Sequence, residues 1–291
     1  MIEAALPFPN IDPVLVHLGP LAIRWYALSY VAGLLLGWQI IVWALRDKSL
    51  WRNKPFDGKP PATADDIGDL VVWATLGVII GGRLGWVLIY GTLLCSVTPS
   101  YAPFCVGLPM GFLSDPIRIV AAWEGGMSFH GGVAGLTLAI WLFCRRRKLA
   151  FLQIGDLVTA IAPLGIFLTR MANFVNGELW GRPTDVPWAM VFPRAADGLA
   201  RHPSQLYEAG LEGLLLLAIT QLCQRVFRLH EKPGLISAIF FGGYGVFRFF
   251  VEFFREPDAP FLGWLSMGMA LSIPLWLASA ALFWLALKKP A

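Results

Sequence analysis

Fourteen residues near the middle of the chain, TRMANFVNGELWGR from Thr169 to Arg182, carry two arginines, two asparagines, a glutamate and two glycines. They follow the apolar run Phe151–Leu168. A central arginine in a membrane helix costs about 2.5–3.5 kcal/mol on insertion scales, so intramembrane charge is expected to have a function. Arg170 and Asn173 are three apart and share a helix face. Arginine suits phosphate because its planar fork donates in pairs and stays charged. The competing reading is an arginine that snorkels to the interface and caps carbonyls.

Three further groups add to this chemistry. Tyr244, Arg248 and Glu252 recur at spacing four, so Glu252 can neutralise and hold Arg248, or the two form a purely structural ion pair. His130, in WEGGMSFHGG, can take up a proton near neutral pH, or be hydrogen-bonded within the fold. Arg83 lies in GGRLG, where the glycines leave room for close approach. Together these residues suit anion binding with proton transfer. Ser128 lacks a GxSG setting, and His17, His202 and His230 lack ligand spacing, so neither a serine nucleophile nor a metal is expected. No cofactor motif is present. HPSQLYE (202–208) reads as a structural helix start with Pro203 in its first turn. Arg255 and Asp258 read as anchors for the outer end of their helix, and Trp180 and Trp188 as interface anchors.

The elements that must hold these residues are membrane helices. Of 291 residues, 57% are hydrophobic and 14% charged, and mean hydropathy is +0.63. Soluble domains carry roughly 25% charge. Because lipid offers no partners for an open backbone, the expected fold is an all-α bundle forming one integral-membrane domain. Hydropathy predicts seven spans: Leu21–Leu45, Ile67–Tyr90, Trp123–Cys144, Phe151–Asn173, Ser204–Gln224, Gly234–Phe253 and Leu265–Leu287. Residues 91–122 and 174–203 form the two larger connectors, the second a small outer head. Met1–Pro20 has acids and prolines but no basic leader, so the first span is expected to be its own insertion signal.

Basic residues set the orientation. All seven lysines and seven arginines, fourteen in all, fall after predicted spans one, three and five or in the C-terminal tail. The other side has six: Arg24, Arg118, Arg182, Arg194, Arg201 and Arg255. The positive-inside rule then puts the N-terminus outside and the C-terminus in the cytoplasm. Arg83, Arg170 and Arg248 fall in the outer halves of their spans, level with Tyr26, Tyr90 and His130. The net charge of +4 sits in loops, which gives no reason to expect a nucleic-acid partner. Cys95 and Cys105 share an outer connector, where an oxidised pair can form.

The stretch RMANFVNGELWGR resembles the signature of the prolipoprotein diacylglyceryl transferase family. DPVLVHLGPLAIRWYALSY, GGRLG, WEGGMSFHGG, RHPSQLYE and GYGVFRFFVEFFREPD resemble its other blocks, in the same order across essentially the whole chain. The resemblance implies transfer of diacylglyceryl from phosphatidylglycerol to the lipobox cysteine of a prolipoprotein signal peptide, releasing glycerol 1-phosphate in a bacterial inner membrane. It also implies seven helices with the N-terminus outside, no cofactor, and functional residues at Tyr26, His130, Arg170, Asn173, Glu178, Gly181, Tyr244, Arg248 and Glu252. Thr169 stands where the family usually has glycine, and Trp86 where tyrosine is common.

In this reading Arg170 and Arg248 bind phosphate, with Arg83 as a further headgroup contact, and Asn173 and Tyr244 orient it. Glu252 and Glu178 position the basic groups, and His130 helps deprotonate the thiol. Two other readings compete, a transporter for an anionic substrate and a structural lipid-binding scaffold. Transport demands polar residues through the inner halves of the spans, which are almost purely apolar.

Overall fold

The computed structural model describes residues 6–9, 11–19, 21–95, 111–121, 125–256, 260–262 and 265–288. Its long helices, in chain order, are α1 (Trp25–Arg46), α2 (Ala64–Gly85), α3 (Phe129–Arg147), α4 (Phe151–Val175), α5 (Ser204–Arg225), α6 (Leu235–Val251) and α7 (Met267–Lys288). Among the described residues five are long and apolar enough to cross a bilayer: α1, α2 with its continuation to Leu93, α4, α5 and α7. α6 is apolar but only 17 residues long, about 25 Å against a hydrocarbon core of roughly 30 Å. α3 ends in three arginines. The protein is thus a mostly helical membrane protein with five candidate spans plus shorter helices.

Residues 1–61 and 155–291 form one compact unit, and residues 62–154 form a second. In the first, small residues and buried hydroxyls join the helices. Gly33 of α1 faces Gly165 of α4, where an added Cβ would meet the Gly165 Cα at 3.4 Å, and Gly37 faces Ile161. Thr220 and Gln221 of α5 both donate to the Ala160 carbonyl of α4, each at 2.9 Å. The Asp156 carboxylate accepts from Gly234 N, Ser237 N and Ser237 Oγ at 2.7–2.8 Å, satisfying free N–H groups at the start of α6. Ser279 of α7 donates to Ala238 of α6 at 2.7 Å. The helix halves that the sequence reading places inside are therefore less purely apolar than expected, but their small polar groups are tied to nearby backbone.

Residues 176–203 fold into a small head. Phe174, Phe192 and Ala195 form its core, with Phe8, Trp180, Met190 and Leu206 packed around them. Strand Met190–Val191 pairs with Ala200–Arg201. Arg201 pairs with Glu256 at 3.0 Å and with Asp197, and this guanidinium holds the Asp197 carboxyl below its usual range.

In the second unit α2 and α3 meet along a glycine seam. Gly77, Gly81 and Gly85 on α2 face Gly131, Gly135 and Ala139 on α3. A Cβ on Gly85 would fall 2.7 Å from the Gly131 Cα. Such small-xxx-small rows let membrane helices approach backbone to backbone. Thr63 and Asp66 form a reciprocal capping box at the start of α2, and Ser128 caps α3.

Three expected span starts move inward. Leu21–Arg24 pairs as a strand with Val14–Leu18 around Gly19 (φ +62°), so α1 begins at Trp25. Gly125 and Gly126, both at φ +84°, lie outside helical geometry, so α3 begins at Phe129 rather than Trp123. Leu265–Ser266 pairs with Pro260–Leu262, which delays α7 to Met267. Residues 96–110 and 122 of the 91–122 connector lie outside the described residues. Cys95 is disulfide-bonded, and Cys105 and Asp258 also lie outside the described residues.

Candidate active site

Six charged residues from three helices meet in the first unit. α4 supplies Arg170, α5 supplies Glu208 and Glu212, and α6 with its following turn supplies Arg248, Glu252 and Arg255. α5 winds more loosely over Ala209–Leu215, a π-helical stretch that begins just after Glu208 and includes Glu212. Glu208 is the hub. Its Oε1 accepts from Arg248 Nη1 at 2.8 Å and Arg255 Nη1 at 3.2 Å, and its Oε2 lies 3.3 Å from Arg170 Nε. Glu212 Oε2 accepts from Arg170 Nη2 at 3.4 Å, and Glu252 Oε2 lies 2.8 Å from Arg248 Nη2. Oε2 of Glu208 and of Glu252 are held by charge proximity without an aligned hydrogen bond.

Burial gives the cluster a direction. The Glu208 and Glu212 side chains are 0% exposed and Glu252 is 3% exposed, while Arg170 and Arg248 keep 17% and 16%. The acids lie behind and the guanidinium forks in front. Each fork has five N–H donors and gives only some to the acids, so an approaching anion meets unspent donors first. Gly268, at the start of α7, packs against this pair: a Cβ there would lie 2.5 Å from Glu252 Oε2 and 2.8 Å from Arg248 Nη2.

The other expected residues of this unit fall around the cluster. Tyr244 is on α6 one turn before Arg248 and stacks on Phe240, with ring centroids 6.1 Å apart. Asn173 Nδ2 donates to Glu178 Oε1 at 2.8 Å, and Asn176 Nδ2 to the same oxygen at 3.2 Å. Glu178 therefore orients two carboxamides, whereas the sequence reading had it positioning arginines. Tyr26 receives the Tyr30 hydroxyl at 3.0 Å. Continuing the antiparallel register set by Gly33–Gly165 and Gly37–Ile161 puts Tyr26 level with Ala172, beside the Arg170–Asn173 turn. Gly181 is a packing point: its N–H donates to His202 O at 2.8 Å, and an added Cβ would meet Phe254 O at 2.5 Å.

The second unit holds Arg83 and His130. Arg83 is buried and donates to the carbonyls of Ile119 at 3.1 Å, Gly126 at 3.0 Å, and Gly125 and Arg118. Four of its five N–H donors are thereby spent on backbone, which leaves little for the headgroup contact expected of it. Arg83 instead holds the loop that leads into α3. His130 is exposed, on the first turn of α3 and edge-on to Phe129 at 5.7 Å. Trp86 stacks on Tyr90 at 4.8 Å, and Gly126 packs against the Trp86 indole.

Sequence reasoning missed Glu208, Glu212 and Gly268 and placed Arg255 only as an anchor. The signal for the acids was present, since two carboxylates four apart in an apolar segment carry the same cost as the arginines. Gly268 had none, because nothing local to it announces the pair it touches.

A family model for prolipoprotein diacylglyceryl transferase matches residues 13–285. The phosphatidylglycerol–prolipoprotein diacylglyceryl transferase of Rhodospirillum rubrum is 50% identical over 285 residues, covering 96% of this chain and 93% of that protein. The Phenylobacterium zucineum protein of that name is 45% identical, covering 98% and 96%. The Brucella anthropi protein is 46% identical, covering 100% and 99%. With the match running from the N-terminal hairpin to α7, the chain belongs to the prolipoprotein diacylglyceryl transferase family.

Proposed function

We propose that this transferase moves the diacylglyceryl group of phosphatidylglycerol onto the lipobox cysteine thiol of a prolipoprotein, the first step of lipoprotein maturation. The observation that carries the reading is the pair of partly exposed forks, Arg170 and Arg248, backed by buried carboxylates. The thiolate sulfur attacks the glycerol carbon that bears the phosphate ester. A C–S bond forms, the C–O bond breaks, and glycerol 1-phosphate leaves with the electron pair on a phosphate oxygen. The two forks meet the negative charge that grows there, so they stabilise the transition state more than the substrate. Asn173 and Tyr244 orient the headgroup beside them. Glu178 and Gly181 act by holding Asn173 and the α4 exit, and Tyr26 borders the same turn of α4.

A free thiol has a pKa near ~8.5, so little of it is nucleophilic at neutral pH. His130 takes the thiol proton in this reading, which the exposure of the residue supports. If it does, His130→Gln lowers transfer most below pH 7.5, where the thiolate is scarcest. Near-normal transfer by His130→Gln from pH 6 to 9 would remove that role.

The membrane arrangement proposed is seven crossings with the N-terminus outside and the site facing the outer leaflet of a bacterial inner membrane. The fourteen-to-six division of basic residues supports it. Transport of an anion is less well supported, because Thr159, Thr220, Ser237 and Ser279 are committed to local hydrogen bonds rather than lining a polar path. The deciding assay combines purified protein, phosphatidylglycerol micelles and a lipobox peptide, read by mass spectrometry, with a cysteine-free peptide as control. A thioether-linked diacylglyceryl adduct with released glycerol phosphate is expected. No adduct from well-folded protein would return the transporter to first place.

A further inference from the structure

We infer that Glu208 is the positioning residue of the site: it sets the separation and aim of Arg170 and Arg248 so that both forks serve the charge of the departing phosphate. The inference rests on the transfer reaction proposed above. Three observations carry it. One carboxylate on α5 reaches arginines on α4, on α6 and in the turn after α6, at 3.3, 2.8 and 3.2 Å. No other acid in the cluster touches both front arginines, since Glu212 pairs with Arg170 and Glu252 with Arg248. The Glu208 side chain is wholly buried, so substrate meets the guanidinium forks and not the carboxylate that aims them.

The charge count makes the claim specific. Arg170, Arg248 and Arg255 balance Glu208, Glu212 and Glu252, so the resting cluster is formally neutral. The phosphodiester of the substrate adds one negative charge. The departing monoester, with a second pKa near ~6, carries about two at neutral pH. Two forks aimed at one point favour the second state over the first. If Glu208 only cancelled charge, removing its charge would leave the site more positive and tighten its hold on a dianion. If it aims the forks, the same change weakens that hold.

Glu208→Gln is therefore compared with wild type in the micelle assay, using inhibition by added glycerol 1-phosphate. The expected result is a fall in kcat of about 100-fold, an inhibition constant raised at least about tenfold, and a phosphatidylglycerol KM within about threefold of wild type. Inhibition constant and KM do not depend on how much enzyme is active, so loss of folded protein alone moves neither. An unchanged or lower inhibition constant overturns the inference, as does a kcat within threefold of wild type. Should Glu208→Gln not yield monodisperse protein, the charge-balanced pair Glu208→Gln with Arg255→Gln takes its place, with the same expected and overturning results. Failure of both to fold makes Glu208 a structural residue and also overturns the inference. A wild-type protein that forms no adduct sinks the transfer reading itself, a separate outcome.

Discussion

Arg170 and Arg248 each give part of a planar fork to buried acids and keep the remainder toward the accessible side. Lysine cannot divide its donors this way, because its ammonium is a single compact charge. Arg248→Lys should therefore lower kcat by about 100-fold or more, with protein yield and monodispersity close to wild type. Full activity in Arg248→Lys, measured by adduct formation, would falsify the claim that the fork matters. These arginines and Glu252 are legible in the sequence because charge inside an apolar run is conspicuous. Glu208 and Glu212 obey the same rule, yet HPSQLYE also reads well as a helix start, and that bland reading hides Glu208. Arg83 misleads in the opposite sense: its glycine setting suggests a ligand, while its donors go to carbonyls up to 43 residues along the chain. No pattern local to Arg83 could reveal that.

At the scale of elements, the α2–α3 seam has no side chain between its glycines. Gly81→Val must push the helices apart, since a Cβ there meets Gly135 Cα at 2.7 Å and also the Gly131 carbonyl. Overpacking of this kind costs about 1–3 kcal/mol. The expected outcome is a lower thermal midpoint for purified protein in detergent; an unchanged midpoint would show that the seam has slack. The spacing of Gly77, Gly81 and Gly85 is visible in the sequence, and so is that of Gly131 and Gly135. Which row faces which is not, because pairing is a tertiary fact. Helix starts err for a related reason. Hydropathy averages over a window, so it carries α1, α3 and α7 across residues where a hairpin, a glycine pair or a strand already holds the backbone.

At the scale of the whole molecule, the placement of lysine and arginine makes a claim about sides that can be checked without knowing the reaction. A reporter enzyme active only outside the cytoplasm, fused after Asp197 in the head, should be active. The same reporter fused after Lys148 or Lys232 should be silent. Activity at Lys148 would invert the orientation and place the arginine cluster toward the wrong leaflet for the proposed chemistry. Membrane class can be read from composition. The division into two units cannot, since residues 62–154 interrupt a unit that resumes at residue 155.

The hub at Glu208 also bears on how the chain is made. Arg170 leaves the ribosome well before the carboxylates that neutralise it, and Arg248 follows them. A nascent chain that has reached α4 but not α5 holds a guanidinium at bilayer depth with its acids still to come, at an insertion cost of about 2.5–3.5 kcal/mol. Arrival of α5 removes that cost, so this helix should be drawn into the membrane by a partner already waiting there. A translational-arrest reporter would register the draw as a peak of pulling force as Glu208 and Glu212 enter, and Arg170→Leu should flatten it. An undiminished peak in Arg170→Leu would mean that hydrophobicity alone brings α5 in. Assembly order, by this account, is written into which sign of charge is synthesised first.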